Sequence, residues 1–314
     1  MEQVKTSTAV AGIDAAKAKL DVAVYGLEET AAFANDAAGW RLLAAWLAER
    51  DVGRVGIEAS GGYERGVVAH LRQRGVEVVI HQPAHIRAFA RFKRIKAKND
   101  KIDAAVIAAA TAQTDLVRAA ADPELVELGD RLTAYEQAAE LVALVKTMLE
   151  HVALPDLTPQ YEAKLKALKA WKASLAKDLV ARIAKHPKLK IRFDLVRSLP
   201  GVGPIVAASL VLRMPELGAM ARGQAASLLG VAPFDRDSGQ ARGQRHIFGG
   251  RARVRRMVYL AAAVAKRTDR AFKAFAERLA ATGKKPKVIL VAVMRKLIEA
   301  ANLVLGRGTA WVPT

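Results

Sequence analysis

The chain has no cysteine, which excludes disulfides, thiolate zinc sites and cysteine catalysis together. It has no apolar run near the roughly 18 residues that a membrane span needs, and no signal-peptide pattern at its start. The expectation is a cytoplasmic protein with no membrane partner. Aromatic residues make up only 5%, so cores are built from aliphatic side chains. Carboxylates are scarce in one region alone. Residues 1–118 carry 17 basic and 14 acidic side chains, and residues 119–190 carry 11 and 10. Residues 191–314 carry 22 basic and only 7 acidic.

What is present is a 314-residue chain, 52% hydrophobic, with a net charge of +19. That is long enough for two or three domains, and the charge points to a polyanionic partner. In the first segment, "AVAGIDAAK" and "LDVAVYG" read as a hairpin, with Asp21 as a turn residue. "RVGIEAS" (54–60) and "VEVVIH" (76–81) read as two further strands. Helical spacing over 37–50 and 62–74 separates them and predicts an α/β layer domain. From about 123 to 187 two apolar stripes, Leu125 to Leu149 and Tyr161 to Ile183, predict a long helical hairpin. Such a coiled-coil arm serves as a spacer or a dimer contact. Residues 191–314 read as helices broken by glycine turns at 199–204, 230–239 and 249–250.

Four carboxylates in the nearly neutral first segment stand out. Asp14 and Glu58 end strands, and Asp100 and Asp103, three apart, share a face at the start of a helix. Taken singly, each is ordinary: a turn residue, a loop acid or a helix N-cap. Together they have the hard oxygen ligands that magnesium takes. Two such ions clamp the oxygens of a phosphoryl transfer. Their order along strands and helix resembles the RNase H-like, RuvC-type nuclease fold. Just before Asp100 and Asp103, Arg87, Arg91, Lys93, Arg94, Lys96 and Lys98 interleave with Phe89 and Phe92, a pattern suited to a nucleic-acid backbone. His81 and His85 lack an evident third zinc ligand.

In the basic third, "SLPGVGPIVAASL" places Gly201 and Gly203 where backbone amides can approach phosphate. It resembles a helix-hairpin-helix module; the alternative is a tight interhelical turn. Seven arginines, Arg236, Arg242, Arg245, Arg251, Arg253, Arg255 and Arg256, lie between 236 and 256 and suit phosphate oxygens. Among them is Ser238, in "RDSGQ". Physical chemistry alone makes it a turn residue, since no base is adjacent.

"GIDAAK", "IEASGGYE", "KNDKIDA", "LPGVGPIVAASL", "LLGVAPFDRDSGQARGQRHIFGGRARVRRMVYLAA" and "KVILVAVMRKLI" resemble the motifs of the bacterial insertion-sequence transposase family numbered one-ten, from about residue 10 to the end. The resemblance implies an α/β plus α chain. Its parts would be an RNase H-like (RuvC-type) N-terminal domain over 1–118, a helical coiled-coil arm over 119–190 and a mostly helical C-terminal transposase domain over 191–314. It implies that Asp14, Glu58, Asp100 and Asp103 bind magnesium, or manganese in its place. Ser238 would be the nucleophile that links covalently to DNA. Donor and target DNA, a structured guide RNA encoded by the element, and a homo-oligomer (a dimer, with a tetramer as the active complex) follow from the same resemblance. So does a place at the nucleoid. Two rivals differ in chemistry: a RuvC-like junction nuclease that uses water, and a non-catalytic nucleic-acid-binding protein.

Overall fold

The computed structural model describes residues 9–95, 100–114, 123–234 and 246–312, with the backbone alone at Asp100, Lys101, Pro123 and Phe234. Lys96, Lys98, Arg236, Ser238, Arg242 and Arg245 lie outside the described residues. The chain divides into two compact units, Met1–Ala120 and Ala121–Thr314.

The first unit is a mixed sheet covered by helices on both faces. Its strands are β1 (Ala9–Ala15), β2 (Lys19–Val24), β3 (Thr30–Ala34), β4 (Val52–Glu58) and β5 (Glu77–His81), in the order β3-β2-β1-β4-β5. β1, β2 and β3 pair antiparallel, whereas β4 and β5 extend the sheet in parallel. The expected hairpin is β1–β2. Asp21, expected in a turn, sits instead inside β2, opposite Asp14. β3 had no predicted counterpart: "TAAFA" is an edge strand with one large apolar side chain and hence little hydrophobic signal. Between the strands lie α1 (Ala37–Ala48), α2 (Arg65–Gln73), α3 (Pro83–Phe92) and α4 (Asp100–Ala112). Asp36 caps α1 by accepting from the Ala38 and Gly39 amides.

Strand alternation assigns the faces. Ile13, Leu20, Val22, Val55, Ile57 and Val78 point to one side and pack with Leu43, Leu47, Val67 and Leu71 of α1 and α2. The opposite face carries Gly12 and its register partner Gly56. A Cβ on Gly12 would overlap backbone atoms of Ala104 and Ala108, and one on Gly56 would overlap the Thr111 side chain. Ala104, Ala108 and Thr111 are all fully buried and recur at helical spacing. Two glycines side by side therefore make a flat floor on which α4 lies backbone to sheet.

The second unit is helical. α5 (Pro123–His151) and α6 (Thr158–Lys185) form the long hairpin that the two apolar stripes predict. α7 (Pro187–Arg197), α8 (Pro204–Arg213), α9 (Gln224–Leu229), α10 (Ala252–Thr268), α11 (Arg270–Ala281) and α12 (Pro286–Arg307) follow. A two-residue ribbon, β6 (Pro233–Phe234) and β7 (His246–Ile247), brackets residues 235–245. Leu128, Leu132, Leu179 and Ile183 join the arm's base to the core of α7 to α12. Arg131 and Arg182 bridge the two arm helices through Asp178 and Glu127. Farther out, Leu141, Leu144, Met148, Leu154 and Trp171 are exposed.

Candidate active site and nucleic-acid interface

The face that α4 covers also carries the acids. Ile13 pairs with Ile57 across the parallel strands β1 and β4, so Asp14 and Glu58 stand side by side at their carboxyl ends. Two residues on from Gly12 and Gly56, both share the α4 face. Register extends the row in both directions: Asp21 is opposite Asp14, and His81 is opposite Glu58. Asp21–Asp14–Glu58–His81 is thus one line of polar residues across four strands. The helix-borne pair sits at the start of α4. Asp103 immediately precedes Ala104, which packs on Gly12, and Asp100 occupies the position one turn before Ala104.

Hairpin symmetry alone would have found Asp21, since three residues, 16–18, separate β1 from β2. It is buried and pairs with Lys19 Nζ at 2.7 Å. His81 is also buried. The Thr111 hydroxyl donates to the Ile107 carbonyl at 2.6 Å, so it accepts from His81 Nε2, 2.8 Å away. Burial, followed by the nearby His85 and Arg54 charges, holds the His81 imidazole below its ordinary range. His81 therefore ties β5 to α4 as a neutral side chain. Beyond Glu58, the Glu64 carboxylate accepts from Ser60 N, Ser60 Oγ and Gly62 N at 3.1, 2.8 and 2.9 Å. Burial opposes ionisation of Glu64, yet these hydrogen bonds hold its carboxyl below the usual carboxylate range. That ring of bonds shapes "EASGGYE".

An all-carboxylate set suits a hard divalent cation such as magnesium or manganese and not a soft one. Asp14, Glu58, Asp103 and Asp100 are the residues that would hold it. Among the described residues, no three acid or histidine side chains close into a metal-holding group. The Asp100 side chain lies outside that description.

The basic elements divide into two kinds. On and beyond α3, Arg87, Arg91, Lys93 and Arg94 are exposed, and Lys93 Nζ lies over the rings of Phe89 and Phe92. The arginines at the start of α10 have partners inside their own unit. Arg251 binds Glu216 with both terminal nitrogens and the Arg213 carbonyl with one. Arg253 approaches Glu136 at 3.4 Å, Arg256 reaches Glu140 at 2.9 Å, and Arg255 donates to the carbonyls of Leu229 and Gly249. Sequence reasoning missed Glu136 and Glu140 because they lie on α5, more than a hundred residues before the arginines they meet. The glycines of the α7–α8 turn also divide. Gly201 has φ +75°, and a Cβ there would overlap the Ala261 carbonyl of α10, which is a packing requirement. Gly203 caps α8 with open space around it.

A sheet with acids at the carboxyl ends of β1 and β4, in one chain with a basic helical unit, is compatible with an enzyme that acts on a polyanion. A DEDD transposase family of the IS110 group, described as "Transposase", matches residues 11–159. The "Transposase IS116/IS110/IS902 family" matches residues 193–277. The chain belongs to the IS110 family of insertion-sequence transposases, enzymes that recombine DNA. It is 26% identical over 311 residues to the pilin gene-inverting proteins of Moraxella lacunata and Moraxella bovis, with 94% of each chain covered. Family membership implies DNA substrates and a divalent metal.

Proposed function

We propose that this transposase cuts and rejoins donor and target DNA through a covalent serine–DNA intermediate, with Ser238 as nucleophile and Asp14, Glu58, Asp100 and Asp103 as the metal-binding acids. The observation that carries the acid half is the register that aligns Asp14 with Glu58 on the α4 face. The sheet order, three antiparallel strands followed by two parallel ones, supports an RNase H-like, RuvC-type fold. On the serine side, the sequence "APFDRDSGQARGQR" has Ser238 between Arg236 on one side and Arg242 and Arg245 on the other, and the described residues on either side of 235–245 pair as the β6–β7 ribbon.

In the transfer, the Ser238 oxygen bonds to phosphorus while the bond from phosphorus to one bridging oxygen breaks. That oxygen leaves as a hydroxyl, and the serine proton ends on it or on a nearby base. The energy of one phosphodiester is kept in the new one, so rejoining needs no nucleotide cofactor. Neighbouring guanidinium groups offset charge on the pentavalent phosphorus. A bound magnesium ion supplies further charge stabilisation at phosphate oxygens. The acids position it, and the α4–glycine contact positions the acids.

Sequence choice by an element-encoded guide RNA fits a chain whose basic side chains suit backbones more than base edges. The exposed apolar side chains of the outer arm, Leu141, Leu144, Met148, Leu154 and Trp171, support a contact between copies; the tetramer as the active complex rests on the family resemblance alone. The test is joint formation between labelled donor and target DNA by protein co-expressed with its flanking DNA. Unmodified protein yields magnesium-dependent joints, and Asp14→Ala and Glu58→Ala yield none. Undiminished joining by both variants would remove the acids from the chemistry.

A further inference from the structure

The α10 arginines have partners on their own unit, whereas other cations of that unit have no carboxylate partner among the described residues. A cavity of about 660 Å³ opens between α11, α12 and the segment entering α9. Arg222, Arg295 and Lys296 line it, and among the described residues none of the three has a carboxylate partner. Its one acid, Glu299, accepts from the Ala226 amide at 3.3 Å. Its apolar wall is aromatic: Phe275 under Lys296 Nζ at 4.2 Å from the ring centroid, and Trp311 beside Phe272 at 6.1 Å. Trp311 is held in place by its backbone amide, which donates to Ser198 Oγ at 2.7 Å. Its buried indole Nε1 has no partner among the described residues, although such a group ordinarily finds an acceptor. A second cavity shares Ala292 and Arg295 with the first and continues past Lys287 to Pro233, His246 and Ile247 of the β6–β7 ribbon.

Three cations and two aromatic rings match two parts of a nucleotide, its phosphate and its base face. We infer that this cavity seats one unstacked nucleotide of a single-stranded nucleic acid, whose backbone follows α12 to the ribbon that brackets residues 235–245. Arg222 and Arg295 hold the phosphates, and Phe275, with Lys296 at its ring, and Trp311 take the base. The inference rests on the chain's action on nucleic acid and not on the serine chemistry, so it is tested without metal or cleavage.

Binding of labelled oligothymidylate and oligouridylate to the full-length protein, followed by anisotropy across a salt series, decides it. Arg295→Glu weakens binding about tenfold and lowers the slope of log K against log salt by about 0.7. Phe275→Leu weakens it by a similar factor with the slope unchanged, because stacking releases no counterions. Lys172→Glu, the same charge change on the outer arm, falls well short of Arg295→Glu. Melting curves verify folding, and Arg295→Gln gives the same direction with a smaller change. Loss on the DNA strand alone, on the RNA strand alone, or on both supports the site and names its occupant. Affinities of Arg295→Glu and Phe275→Leu within twofold of the unmodified protein on both strands would overturn it.

Discussion

The two units place their charges by different means. In the first, nearly neutral unit, strand register aligns Asp21, Asp14, Glu58 and His81, and a glycine floor brings α4 down beside them. In the second, strongly basic unit, helix packing pairs a run of arginines with acids and carbonyls that lie tens of residues or more away in sequence. A motif rich in acids can thus be a functional set, while a motif rich in arginines can be partly a structural one. Net charge marks the basic half of the chain but not which of its cations are left open to a polyanion.

The sharpest way to break the first half of that contrast is Gly12→Ala. The added methyl meets the α4 backbone, which cannot rotate away, so a loss of about 3 kcal/mol or more is expected in urea unfolding. Joint formation falls with it, since α4 carries Asp100 and Asp103. Gly129→Ala, in α5 with open space around it, instead raises stability by up to about 1 kcal/mol. Equal losses at both positions would remove the glycine floor from the explanation.

For the second half, Glu136 and Glu140 make an internal pair of tests. The Glu136 side chain is 9% exposed and meets Arg213 at 2.6 Å as well as Arg253. Glu136→Gln therefore costs about 2 kcal/mol by leaving Arg213 poorly matched. Glu140→Gln breaks a surface pair and costs below about 0.5 kcal/mol. If both are neutral in thermal unfolding, the α10 arginines are not held by α5.

His81 offers a pH signature within the first unit. Its folded pKa is depressed, so above about pH 6.5 both folded and unfolded forms are neutral and its tie is fully present. As pH falls below that value the unfolded chain gains the proton first, and stability is lost toward the folded pKa. The unmodified protein should thus lose more stability than His81→Gln on acidification through this window. Parallel curves would mean that His81 does not titrate differently on folding. An effect of opposite sign is expected at Ser209, whose hydroxyl is buried in α8 without a partner among the described residues. Ser209→Ala should raise stability by up to about 1 kcal/mol in the same unfolding assay.

Much of this was legible in the sequence. Alternation and turn residues give the β1–β2 hairpin, and the two leucine-rich stripes give α5 and α6. Motif order singles out Asp14, Glu58, Asp100 and Asp103. What escaped depends on partners that only folding supplies. β3 has too few large apolar residues to stand out and exists because β2 offers an edge. Asp21 looked like a turn residue because aspartate is common in turns, whereas register puts it in the acid row. His81 has its partner thirty residues away on α4. The cavity beside Trp311 draws on two helices, the segment entering α9 and the segment after α12, with no local spacing to announce it.

The most direct measurement uses unmodified protein beside Ser238→Ala, each co-expressed with the flanking DNA and given labelled donor and target DNA with magnesium. Products are resolved on a denaturing gel and adduct peptides identified by mass spectrometry. Serine-mediated recombination predicts a protein–DNA adduct at Ser238 that disappears in the variant together with the joints. Cleavage without adduct, equal in both proteins, would contradict it and leave a metal-dependent nuclease in which Ser238 is a turn residue.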